Sequence, residues 1–116
     1  TIQAACEPDK EATYKMIGDN IRSDANGISQ MYYVGVIWCQ NPEVETPQQV
    51  CDDLIKAANF IPKECLGSTD DCGFSPFAID NKPAYNSPDF AREIAFKKIK
   101  ARVEGTKMAA DKLGVS

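Results

Sequence analysis

Hydrophobic and polar positions along the chain fall into two alternating kinds of segment. One kind is short, continuous and apolar. Met31 to Trp38 is the clearest example, reading Met-Tyr-Tyr-Val-Gly-Val-Ile-Trp. A run this short, rich in β-formers and apolar on both faces, suits a strand of a parallel sheet covered on two sides. Cys65 to Thr69 predicts a second buried strand, and Thr1 to Ala5 a short first one. The other kind of segment is apolar on one side only. Lys10 to Ile17 predicts a helix with Thr13, Met16 and Ile17 at helical spacing, opened by Glu7-Pro8-Asp9. Thr46 and Pro47 supply an N-cap and a first-turn proline for the next helix. Its predicted buried face is Val50, Leu54, Ala57 and Ile61, and Pro62 ends it. Ser87-Pro88-Asp89 starts the last helix, whose predicted buried stripe is Phe96, Ile99, Val103, Thr106, Ala110 and Leu113. Gly114 closes it.

Asp24-Ala25-Asn26-Gly27 reads as a turn, and Gln40 to Glu45 as a loop around Pro42. A long loop from Phe74 to Asn86 contains Pro76 and Pro83, and loops of that length are often functional. The order strand, helix, strand, helix, strand, loop, helix predicts an α/β fold of βα units around a parallel sheet. Three strands make a thin sheet whose edges need cover. A chain that opens on an apolar strand reads as part of a larger fold.

Composition sets limits on function. The 116 residues, 43% apolar and 26% charged, suit one folded domain, residues 1–116. A net charge of −4, with Lys97-Lys98-Ile99-Lys100 as the only basic cluster, argues against nucleic acid. No apolar run approaches the ~20 residues needed to cross a bilayer, so no membrane partner is expected. Glu7, Asp9 and Lys10 interrupt the first ten residues, which is not a signal-peptide pattern.

The five cysteines are Cys6, Cys39, Cys51, Cys65 and Cys72, an odd number that cannot all pair within one chain. None forms a Cys-x-x-Cys pair, which excludes a zinc finger or a thioredoxin-like motif. Cys39 and Cys51 sit among apolar neighbours and read as small buried hydrophobes. A reducing, cytoplasmic compartment is expected. Cys72 differs. It follows a predicted strand directly, between Asp70-Asp71 and Gly73. The carboxyl ends of strands in α/β folds collect ligands and catalytic residues. Gly73 permits close backbone approach or a positive φ. The same residues also suit a cysteine simply packed near a turn. The chain contains no histidine, so Cys72 needs partners of another kind or from elsewhere.

Leu66-Gly67-Ser68-Thr69-Asp70-Asp71-Cys72-Gly73-Phe74 resembles the C-terminal cysteine motif of the cobalamin-independent methionine synthase superfamily. Pro42-Glu43-Val44-Glu45-Thr46-Pro47 is similar to that family's loop before the penultimate helix. Ile61-Pro62-Lys63-Glu64-Cys65-Leu66-Gly67 is similar to its lead into the cysteine strand. Gly73-Phe74-Ser75-Pro76-Phe77 and the tail from Ala95 to Gly105 look closer to its paralogues, including the epoxyalkane:coenzyme M transferases. The resemblance runs from about residue 31 to the end. The motifs are specific as an ordered set; none is specific alone.

The resemblance implies the last βα units of a (β/α)₈ TIM barrel with a zinc site at its C-terminal rim. In this superfamily Zn²⁺ binds a small-molecule thiol as thiolate, which then attacks a methyl or alkyl donor. The implied ligands are a His-x-Cys pair, often a glutamate, and a distant cysteine matched here by Cys72. Zinc and thiolate are both comparatively soft. Gln3 stands where methionine synthases place the metal-binding glutamate, and Gln40 lies near the place of a family histidine. These departures argue for a paralogue with another substrate. Trp38 and Gln40 are candidates to line the substrate cavity, although a tryptophan there also reads as core. Asp70 and Asp71 are candidates to orient a ligand from behind, or a solvated pair in a turn. A barrel needs about 200 residues or more, and a catalytic zinc about three protein ligands. The remaining barrel segment or a partner chain is therefore expected to complete the site. No catalytic residue is assigned in the chain itself. Two rival readings remain at this point: a non-catalytic α/β binding or assembly module derived from such a barrel, and a small secreted disulfide protein.

Overall fold

The computed structural model describes residues 1–41, 43–72, 74 and 88–115. Among them are helix α1 (Lys10–Gly18), strand β1 (Tyr32–Ile37), helix α2 (Pro47–Ala57), strand β2 (Leu66–Asp70) and helix α3 (Pro88–Leu113). The predicted loop residues 75–86, Pro42, Gly73 and the cap Ser87 lie outside the described residues.

The architecture is mixed α/β. β1 and β2 pair in parallel, from Tyr32 opposite Leu66 to Gly35 opposite Thr69, and then Ile37 opposite Asp70 past an irregularity. Ile2 adds a single parallel bridge to Val34. Its amide donates to the Tyr33 carbonyl and its carbonyl accepts from Gly35, both at 2.9 Å. The predicted first strand is thus present as one bridge, and β1 runs between it and β2. Parallel pairing aligns the carboxyl ends of all three segments at one rim.

Local chemistry explains the helix starts. The Asp9 carboxylate caps α1 by accepting from the Ala12 amide at 3.1 Å. α2 opens on a capping box: Thr46 Oγ1 accepts from the Gln49 amide, and the Gln49 side chain accepts from the Thr46 amide. α3 ends at Gly114, whose φ of 72° suits a residue without a Cβ.

The core lies between the strands and the helices. Val34, Val36 and Ile37 of β1 pack with Val50, Leu54 and Ala57 of α2, and with Ile61, Tyr14 and Ile17. The predicted face of α2 is observed as far as Ala57, where the helix ends, four residues before the expected Ile61, which is buried just beyond it. Two other faces differ from expectation. In α1 the buried residues are Tyr14 and Ile17, while Met16 is 59% exposed. At about 100° per residue, Met16 points well away from Tyr14. In α3 the predicted Phe96 and Val103 are 64% and 58% exposed. Ala91, Ile94, Ala95, Lys98, Ala101, Gly105 and Ala109 are buried instead. The cause is the close approach of α3 to α2. A Cβ at Gly105 would strike the Pro47 carbonyl oxygen and the Val50 side chain, so the contact face is made of small residues.

Cys65 is also displaced from its predicted strand. It ends a 3₁₀ turn, Lys63–Cys65, in which its amide donates to the Pro62 carbonyl at 2.8 Å. The strand begins one residue later. β2 is fastened to α3 by Ser68 and Thr106, whose hydroxyl oxygens are 2.7 Å apart. No described helix is long and apolar enough to cross a membrane.

Candidate functional site

Three strand ends meet at the rim: Gln3 to Cys6, Trp38 to Gln40, and Asp70 to Cys72. One carboxylate joins the outer two. Asp71 Oδ1 accepts from the amides of Ala4 and Ala5, each at 3.0 Å, and Oδ2 accepts from the Cys6 amide at 2.9 Å. Successive amides turned toward one point form a small anion-binding concavity. Here the anion belongs to the chain. The carboxylate passes over Gly35, where a Cβ would collide with Asp71 Oδ1. Asp71 is therefore a tie between strand ends, not a solvated turn residue.

Asp70 points elsewhere. Its Oδ1 lies 3.1 Å from Arg102 Nε on α3. The two groups form a half-buried ion pair between β2 and α3. Burial raises the Asp70 pKa, and the Arg102 charge opposes the shift. Asp70 thus serves the strand–helix junction. Adjacent acids of one motif have separate duties because successive strand residues face opposite sides.

Cys72 is an exposed free thiol immediately after this tie. Cys39, fully buried, donates from Sγ to the Cys72 carbonyl at 2.8 Å. Burial pushes the Cys39 thiol up to about 11, partly offset by a backbone hydrogen bond with Cys72. Cys6 is also exposed, and a hydrogen bond to Asp71 raises its pKa. All five cysteines are free. Gln3 and Gln40 are exposed at the rim, Gln3 just before the amides that hold Asp71 and Gln40 just after Cys39.

A second constellation was not anticipated from the sequence. Lys98 of α3 is completely buried. Its Nζ donates to Glu45 Oε1 at 2.7 Å and to the Trp38 carbonyl at 3.0 Å. Glu45 Oε2 accepts from the Trp38 amide at 2.8 Å. Both main-chain groups of Trp38 are thereby held by one buried ion pair. Trp38 is 41% exposed and lines a cavity of about 380 Å³ with Glu45, Asp52 and Asp53. A signal for Lys98 existed: it falls in step with Ala91, Ile94, Ala95 and Ala101 on the small-residue face, inside what reads as a basic cluster.

Curated proteins similar to the chain carry one name. A methionine synthase of Saccharolobus solfataricus is 29% identical over 87 residues, 75% of this chain and 22% of the relative. A methionine synthase of Sulfurisphaera tokodaii is 31% identical over 80 residues, 69% of this chain and 20% of the relative. One of Saccharolobus islandicus is 29% identical over 87 residues, with the same coverage as the first. These likenesses support a methionine synthase-like family. The chain spans about a fifth of the length of these relatives. No family model matches, and no solved structure matches.

A methionine synthase-like site raises the question of zinc. Among the described residues, no three His, Cys, Asp or Glu side chains are grouped to hold a metal ion. Asp71 is engaged by main-chain amides and Asp70 by Arg102. Cys72 and Cys6 are the exposed free thiols at the rim. These residues alone do not fit a complete zinc site.

Proposed function

We propose that the chain is the C-terminal part of a methionine synthase-like transferase, forming the closing βα units of its (β/α)₈ barrel. In this reading Cys72 supplies one thiolate to a zinc ion. The other ligands come from the remaining barrel segment or a partner chain. The substrates are a small-molecule thiol acceptor and a methyl or alkyl donor.

The observation that carries the reading is the placement of Cys72. It is an exposed, free thiol just past the end of β2, beside the ends of two further parallel segments. Each of these segments is followed by a helix, as in a (β/α)₈ barrel. The similarity to methionine synthases supports methyl transfer as the reaction class. Gln3 and Gln40, in place of a glutamate and a histidine of the resembled family, favour a paralogue with another substrate, and the resemblance of Gly73 to Phe77 and of the tail from Ala95 to Gly105 favours one of the epoxyalkane:coenzyme M transferase kind. Catalytic zinc sites use about three protein ligands and an open position, so one thiolate defines no step of the reaction.

The test is metal analysis of the full-length protein that carries these residues. About one zinc per chain is expected, lost in Cys72→Ser while the fold, read by circular dichroism, persists. Full zinc content in the folded variant would overturn the ligand assignment.

A further inference from the structure

We propose that Cys39 and Cys72 form a site of reversible oxidative modification, closing to a disulfide when a hydroperoxide reaches the rim. Three observations bring the two cysteines side by side at the rim. The parallel register pairs Ile37 with Asp70. The Asp71 amide continues the ladder by donating to the Ile37 carbonyl at 2.9 Å. Two residues further on, Cys39 Sγ lies 2.8 Å from the Cys72 carbonyl oxygen. Cys39 and Cys72 each lie two residues past the paired ends of β1 and β2, where the strands are about 4.7–4.9 Å apart, and a disulfide bridges Cα atoms roughly 4.4–6.8 Å apart. The remaining cysteines are placed differently. Cys51 and Cys65 are buried on α2 and in the 3₁₀ turn, and Cys6 is engaged with Asp71.

The two partners differ in access, and this orders the chemistry. Exposed Cys72 meets the oxidant first. Its sulfur attacks one peroxide oxygen, the O–O bond breaks, and a sulfenic acid and one water form. The Cys39 sulfur then attacks the Cys72 sulfur, its own proton leaves with the displaced hydroxide as a second water, and the S–S bond closes. Two thiols lose two electrons in total, and one hydroperoxide gains them (with an organic peroxide, an alcohol replaces one water). A reducing dithiol reverses the change. While the bond is closed, Cys72 has no thiolate to offer. Cys39, otherwise only a small core residue, gains a purpose: it stops Cys72 from proceeding to irreversible sulfinic acid.

The experiment treats the reduced full-length protein, stripped of metal by a chelator, with one equivalent of hydrogen peroxide. Remaining thiols are blocked with iodoacetamide, and the digest is mapped by mass spectrometry. The expected product is a Cys39–Cys72 cross-linked peptide pair that dithiothreitol separates, with Cys6 still alkylated. In Cys39→Ala treated with at least two equivalents of the peroxide, Cys72 is expected to accumulate as sulfinic acid. The wild-type map decides even if that variant fails to fold. Cys72 joined to Cys6, oxidised to sulfinic acid, or left reduced while Cys39 stays a thiol in the wild type would overturn the proposal. The cross-link is read as a mass, so its outcome is separate from that of the zinc analysis.

Discussion

The Asp71 carboxylate lies over Gly35, in space that any side chain at residue 35 would fill. Without that gap it could not reach the amides of Ala4, Ala5 and Cys6. The link joins residues more than sixty positions apart and leaves the Cys72 turn attached to both outer strand ends. Gly35 is thus a requirement of the rim and not a weak point of β1.

Replacing Gly35 with Ala should displace Asp71 and release three amides. Overpacking and the loss of charge-assisted hydrogen bonds together predict a destabilisation of at least about 2 kcal/mol. Urea denaturation measures it. Hydrogen exchange at the Ala4, Ala5 and Cys6 amides should quicken in the same variant. Unchanged protection there would show that Asp71 is not the acceptor that holds them.

Lys98→Met should be costly despite its similar volume. The substitution leaves Glu45 and the Trp38 carbonyl without their shared donor. Breaking a buried pair from one side costs about 3–5 kcal/mol. Glu45 keeps 18% of its side-chain exposure, so the low end of that range is expected. The double variant Lys98→Met with Glu45→Gln should recover part of the loss. A double-mutant cycle with no coupling would refute the pairing.

Cys6 should be a slow nucleophile for an exposed thiol. Its hydrogen bond to Asp71, and then partial burial, hold its pKa above the ordinary 9.0. The thiolate is the reactive form, so a raised pKa leaves less of it at neutral pH. Alkylation of Cys6 followed by mass spectrometry should give a rate midpoint above that of an unstructured cysteine peptide. Asp71→Asn should shift the midpoint down and raise the neutral rate. A midpoint unchanged by the substitution would place Asp71 away from Cys6.

Much of the local structure was legible in the residues. Thr46-Pro47 marks the start of α2, and Val50, Leu54 and Ala57 mark its buried face. Both depend on contacts a few residues long. The apolar run from Met31 to Trp38 identifies a parallel strand because such a strand is covered on both sides. The position of Cys72 past a strand end was legible for the same reason. The α3 face was not. The hydrophobic period suggested Phe96 and Val103, but the helix packs through Ala and Gly because its distance from α2 leaves no room for more.

What the sequence determined by itself is therefore the kind and order of the elements, since caps, prolines and hydrophobic periods act on near neighbours. Tertiary structure alone decided that Asp70 turns to Arg102 and Asp71 to the first strand, that Lys98 is buried against Glu45, and that Cys39 meets Cys72. Each of those choices depends on a partner more than thirty residues away. Only the register of the sheet and the approach of the helices bring such partners within hydrogen-bonding reach.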